Sequence, residues 1–526
     1  MMKRILHGMA LLFLCPVLVT ASFPIGVTAT EVETAQDLAT EDDTAEGYAA
    51  EVGRSDAKVP RVTLRVCNWE EYIDEGGWDE DAVISLESGD IIGENSLVED
   101  FEEWYYETYG IEVRVEYSTF GTNEDLYNML TLGDVYDVVC PSEYMIMKLM
   151  AEDKLVPLSD DFFDTEDPHN YYSRGVSPYI RDIFDSHEID GQAWSKYAAG
   201  YMWGITGMVY NPEEVPQEAA ESWRILDDPA YNRRITIKDN VRDSYFAAVG
   251  ALKSDLLTSP AFTQAQDYKQ RLEKEMNDTS PETIARVQTY LQEVKDNVYS
   301  FESDSGKADM ITGKVVANYQ WSGDAVYTMD QAQEDGFYLN FAVPKEATNI
   351  YFDGWVMLKN GVGEDAAKRH AAQAFINFLS RPDNVIRNMY YIGYTSVISG
   401  GEDDRIFSYL EWNYSADEET AEEACVDYPL DYFFADSALE DEDRYTLTVP
   451  KEQLKRQLGA QYPSEEVITR SSIMVYFDEA QSRDINQMWI RVRCFNIHRI
   501  PVWIWSIAAI FLVFCSFLWV YRKRQK

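Results

Sequence analysis

Ile350-Tyr351-Phe352-Asp353-Gly354-Trp355 sets one carboxylate among aromatic side chains, between two long stretches that each read as an α/β lobe. Three other short stretches share this aromatic-plus-acid character: Asn68-Trp69-Glu70-Glu71-Tyr72, Asp239-Asn240-Val241-Arg242-Asp243 and Gln320-Trp321-Ser322-Gly323-Asp324. An organic ammonium ligand needs this chemistry. Its charge wants a counter-charge when it leaves water, and its methylene and N–H groups favour ring faces. A fold that gathers the four stretches would make a cation-binding cleft.

The chain has 526 residues and a formal net charge of −47. With 46% hydrophobic and 13% aromatic residues it can bury a core, and its length implies more than one domain. So acidic a composition excludes nucleic acid as a partner, because that needs basic patches. Among six cysteines, Cys15 and Cys515 lie in apolar terminal runs, while Cys67 and Cys140 end apolar runs and read as small buried hydrophobes. Their spacing fits neither a zinc site nor a disulfide scaffold. With only five histidines, no metal site and no cofactor is expected.

The ends carry targeting signals. Residues 1–29 read as a secretory signal: Lys3 and Arg4 precede an apolar core, and Val27-Thr28-Ala29 offers a small-residue cleavage site. Residues 30–60 form an acidic leader with the composition of a disordered segment. Residues 500–521 carry no charged side chain and match the roughly 20 residues that span a bilayer. Trp503, Trp505, Trp519 and Tyr521 stand where interface anchors do, and Arg522-Lys523-Arg524 follows. A C-terminal transmembrane helix that tethers an extracytoplasmic body to the membrane is the expectation.

Within the body, strand and helix alternate. Val62 to Val66, Ile111 to Tyr117 and Tyr136 to Cys140 read as strands, and Ser96-Leu97-Val98-Glu99 is a capping box that opens a helix. Ile235 to Ile237, Val315 to Trp321 and Tyr351 to Leu358 are further strands, and Ala366 to Leu379 is a helix. Residues 71–95 and 414–443 read as irregular. The alternation predicts a mostly parallel sheet. Ligands of such sheets bind beyond the carboxyl ends of the strands, the edge on which Trp69 to Tyr72 and Ser142 to Tyr144 fall.

These residues resemble the spermidine/putrescine-binding proteins of bacterial polyamine ABC transporters. The matching motifs come in the family's order: Asn68-Trp69-Glu70-Glu71-Tyr72, Tyr136-Asp137-Val138-Val139-Cys140-Pro141-Ser142, Trp203-Gly204-Ile205-Thr206-Gly207, Trp321-Ser322-Gly323, Phe352-Asp353 and Ile392-Gly393-Tyr394. The resemblance implies a two-lobed type-2 periplasmic-binding-protein fold that closes on ligand about a hinge. Lobe 1 would take residues 61–200 and 351–493, the latter partly returning to lobe 2, and lobe 2 residues 201–350. Crossovers fall near Ala199–Trp203 and Ile350–Asp353. Carried over by position, Trp69 and Tyr72 would wall the cleft with Glu71 beside them, and Ser142 and Tyr144 would close one end. Trp321 and Tyr351 would sandwich the methylene chain, Asp353 and Asp243 would hold a terminal ammonium, and Tyr394 would add a wall. Asn240 and Tyr351 depart from the family pattern, which expects a carboxylate and a tryptophan there.

The implied function is capture of a polyamine, spermidine or putrescine, for delivery to ABC permease subunits. The alternatives are the same fold with another organic cation, or a membrane-anchored extracellular sensor. No Gly-x-Ser-x-Gly or His-Glu-x-x-His signature points to an enzyme.

Overall fold

The computed structural model describes residues 60–79, 82–417, 420–435 and 444–494. Strand β1 (Arg61–Trp69) lies between β2 (Glu112–Phe120) and β3 (Val138–Val139) and runs parallel to both. Next comes the long strand β4 (Ala198–Tyr210). A second parallel group follows, in which β5 (Ile235–Lys238) is flanked by β6 (Ser300–Glu302) and β7 (Ala317–Trp321). Strand β8 (Thr348–Leu358) then returns to the first group. The order across the sheet is β6-β5-β7-β4-β8-β3-β1-β2.

Strands β4 and β8 join the two lobes. Near Ala198 to Met202, β4 pairs with the end of β8 that also pairs with β3; from Thr206 to Tyr210 it pairs with β7. Both strands are buried along their whole length, as apolar strands covered on both faces are. They run antiparallel to each other and to their outer neighbours β7 and β3. The mostly parallel sheet expected from the alternation is therefore corrected to a mixed one. A chain that passes between lobes twice must pass in opposite directions.

Local signals place the helices. Ser96 and Glu99 close the capping box of the helix Leu97–Tyr109, which ends on Gly110 at φ 67°, the left-handed conformation that glycine adopts without strain. The helix Ala366–Leu379 begins after Asp365, which accepts from the Ala367 and Lys368 N–H groups. Two stretches that read as irregular hold ordered elements. Residues 71–95 contain a hairpin of Ile84–Leu86 with Gly89–Ile91, and Cys425–Pro429 pairs with Thr446–Pro450. Strands of three to five residues are too short for alternation to show. The late helices return to the second lobe: Gln457–Gln461 packs on Ser322–Glu334, and Glu479–Cys494 on Pro281–Asn297.

Among the described residues no helix is long and apolar enough to cross a membrane. The expected fold class is accordingly corrected to the two-lobed α/β fold alone. Residues 500–521, to which the membrane helix was assigned, lie outside the described residues, as do the expected signal 1–29 and all but the last residue of the leader 30–60.

Candidate functional site

A cavity of about 700 Å³ lies where the carboxyl ends of β1, β5 and β7 face the middle of β8. One of its buried carboxylates is Asp353. The pairing of β8 with β4 slips between Asp353 and Gly354, and such an irregularity re-aims a side chain. Ser142 forms a bridge with Asp353, and the Gly354 N–H donates to the Pro141 carbonyl at 3.1 Å. The Asp353 side chain is almost wholly buried. Its Oδ2 accepts from the Tyr72 hydroxyl at 2.6 Å and its Oδ1 from the Ser142 hydroxyl at 2.7 Å. Burial pushes the carboxyl up to about 6, against the pull of those two hydroxyls. Among the described residues no lysine or arginine pairs with it. A buried carboxylate held only by neutral donors lacks a counter-charge of its own.

Aromatic rings surround it. Tyr72 is fixed through its carbonyl, which accepts from the Tyr201 hydroxyl at 2.7 Å and from Asn68 Nδ2 at 3.3 Å. Its ring meets Tyr394 edge to face, with centroids 4.7 Å apart at 86°, a favoured aromatic geometry. Tyr394 is seated on Gly323, where a Cβ would lie 2.1 Å from its ring, and its hydroxyl donates to Asp324 Oδ1 at 3.0 Å. Tyr351 packs over Gly204, where a Cβ would lie 2.4 Å from the Tyr351 hydroxyl. The Trp69 indole N–H is buried and unpartnered among the described residues, and so is the Asn349 side-chain oxygen. Both line the cavity, and each is an open hydrogen-bonding position.

The second lobe brings cations as well as acids. Lys238 Nζ, at the end of β5, stands 4.0 Å over the Trp321 ring and 3.4 Å from Asp324 Oδ2. Lys307 is 3.8 Å from Asp324 and reaches across the cleft to Glu71 at 3.3 Å. The Arg242 guanidinium lies between rings, 4.3 Å from Tyr144 and 3.9 Å from Phe477, and donates to the Val475 carbonyl at 2.8 Å. Burial pushes the Asp243 carboxyl up to about 7, with Lys238 opposing it. Asn240 caps this helix: its side-chain oxygen accepts from the Arg242 and Asp243 N–H groups. Its departure from the family's carboxylate is thus absorbed by a helix cap.

All ten residues singled out from the sequence, Trp69, Glu71, Tyr72, Ser142, Tyr144, Asp243, Trp321, Tyr351, Asp353 and Tyr394, line this one cavity. They differ in what they touch. Glu71 is on the rim, with its side chain 71% exposed and turned to Lys307. Tyr144 is covered by Arg242, and its hydroxyl donates to Glu124 at 3.2 Å. Lys238, Arg242, Lys307, Asp324 and Asn349 were not assigned to the site from the sequence. Asp324 could have been found as the acid that closes the Trp321 stretch.

Spermidine/putrescine-binding periplasmic protein from Salmonella typhimurium is 25% identical over 334 residues, covering 63% of this chain and 76% of that protein. The putrescine-binding periplasmic protein PotF of Escherichia coli is 24% identical over 297 residues, 54% of this chain and 71% of the relative. Among solved structures, a putative spermidine/putrescine ABC transporter protein from Listeria monocytogenes superposes with a TM-score of 0.55 at 20% identity. It covers 83% of this chain and 99% of its own. The substrate-binding protein PotD from Streptococcus pneumoniae gives 0.50 at 23% identity, covering 82% and 98%. The fold is theirs. Residues 96–408, more than half of the sequence, match the description of bacterial extracellular solute-binding proteins, and the chain belongs to that family.

Proposed function

We propose that this chain is an extracytoplasmic receptor that captures a polyamine, putrescine or spermidine, between its lobes and delivers it to the permease of an ABC transporter. The observation that carries the reading is the buried Asp353 carboxylate, held by the hydroxyls of Tyr72 and Ser142 and lacking a protein cation among the described residues. It would take one ammonium. Asp243 would take a second, and the rings of Trp69, Tyr72, Tyr351 and Tyr394 would cover the methylene chain. Ser142 and Tyr144 would bound the first-lobe end, with Glu71 on the rim and Trp321 at the second-lobe end. The relatives named for putrescine and spermidine support the same ligand class. Residues 61–200 and 351–493 would move against 201–350 on closure, with the last helices riding on the second lobe.

Calorimetric titration of the full chain with putrescine and with spermidine tests the reading. Saturable binding of either amine, lost in Asp353→Asn, is the expected result. Heat from neither would overturn it.

A further inference from the structure

One face of the Trp321 ring, a residue the sequence reserves for the ligand's chain, is already occupied. Lys238 is 1% exposed. Its Nζ stands 4.0 Å over the Trp321 ring, donates to the Ser303 carbonyl at 3.1 Å and lies 3.4 Å from Asp324 and 3.9 Å from Glu302. A cation over tryptophan with carboxylates behind it is the arrangement a ligand ammonium would adopt. Here the protein supplies that ammonium itself.

The charges of the cleft then fall into two classes. Asp324 is neutralised from within, by Lys238 at 3.4 Å and Lys307 at 3.8 Å. Asp353 has no such partner among the described residues, and Asp243 lies near Lys238 and Arg242 without an ion pair to either among the described residues. Of these three acids, Asp353 and Asp243 therefore remain for ligand ammonium groups. A third ammonium would meet Lys238 at the Trp321 ring and find Asp324 already paired, and a desolvated charge without a counter-charge is strongly disfavoured. Like charges a few ångströms apart add repulsion.

We propose that Lys238 is a specificity-determining residue that sets how many ammonium groups the cleft accepts, so that a diamine is favoured over a triamine. The inference rests on the polyamine reading and names the member of that class. The test is calorimetry of the full chain with putrescine and spermidine at one ionic strength, for the wild type, Lys238→Met and Lys238→Arg. The wild type should bind putrescine at least about tenfold more tightly than spermidine. Lys238→Met should bring that ratio to about one, through a gain for spermidine at the freed Trp321 face and Asp324. Lys238→Arg, which keeps the charge, should retain the wild-type ratio. Equal affinities in the wild type overturn the inference even if the methionine variant fails to fold, and an unchanged ratio in a folded Lys238→Met overturns it too. Absence of binding to both amines by the wild type removes the polyamine reading itself and the inference with it.

Discussion

The Tyr72 hydroxyl donates a 2.6 Å hydrogen bond to Asp353 Oδ2 across 281 residues of sequence. It ties the loop after β1 to the middle of a strand that joins the lobes. Asp353→Asn keeps the shape and removes the charge. A buried ammonium that loses its counter-charge costs about 3–5 kcal/mol, so ligand affinity should fall roughly 100- to 1,000-fold or more. Tyr72→Phe removes one donor to the same carboxylate and should cost less, about tenfold. Unchanged affinity in Asp353→Asn would take this carboxylate out of the site.

Ligand affinity should rise with pH while the unliganded fold loses stability. Burial is the leading cause that lifts Asp353 to about 6, Asp243 to about 7 and Glu143 to about 8, from ordinary values of 3.8 and 4.5. In each case the folded value lies above the unfolded one, so the native state holds more protons. That contribution to stability is complete below about pH 4 and is lost as pH rises through the folded values. An ammonium ligand pairs with the ionised forms of Asp353 and Asp243. Its affinity should increase by up to about tenfold per pH unit for each carboxyl still protonated, and level off above about pH 7. Titrations near pH 6 in buffers of different ionisation enthalpy should reveal proton release. A flat affinity between about pH 5 and 8 would mean that both carboxyls are already ionised in the empty cleft.

Gly323 is required by Tyr394 rather than by backbone conformation. A methyl group there would lie 2.1–2.3 Å from three atoms of the Tyr394 ring, and that ring is pinned by Asp324 and Tyr72. Gly323→Ala should therefore lower thermal stability by about 1–3 kcal/mol, the usual cost of overpacking, and weaken ligand binding by about tenfold as the wall is displaced. The double variant Gly323→Ala/Tyr394→Ala should recover much of the stability lost by the first change and none of the binding. Simple additivity of the two would show that the residues do not press on each other.

Much of this site was legible in the sequence because strand ends and residue chemistry coincide there. Trp69, Trp321 and Asp353 stand at the carboxyl ends or bends of strands with clear apolar runs, and those runs predicted the lobes. The cations were not legible. A lysine after Ile235-Thr236-Ile237 looks like a solvated strand end, and only the fold reveals that β6 and the helix from Ser322 bury it. Glu71 was legible as an acid near the cleft, but not its left-handed backbone at φ 52° or its turn toward Lys307. The hairpin within 71–95 was hidden for a different reason. It is ordered from outside, by a residue about 300 positions away.

That residue is Arg387. Its guanidinium pairs with Asp74 and Asp100 and donates to the Asn95 carbonyl, closing residues 71–95 onto the helix Pro382–Ile392. Asp74 is fully buried and also accepts from the Gly76 N–H at 2.8 Å and the Trp78 indole at 3.1 Å. Burial still outweighs these partners and raises the Asp74 carboxyl above its ordinary value, so this acid depends on its arginine. Arg387→Met would leave a buried carboxylate without its cation, at a cost of about 3–5 kcal/mol. The protein should melt markedly lower and exchange amide hydrogens faster around Gly76 and Trp78. Tyr72 lies at the start of this segment, so ligand binding should weaken as well. The double variant Asp74→Asn/Arg387→Met removes the orphaned charge together with its partner, and it should regain most of the lost stability. If the single variant melted like the wild type, the insertion would owe its order to the Trp78–Tyr390 ring contact, 5.0 Å between centroids, rather than to the buried ion pair.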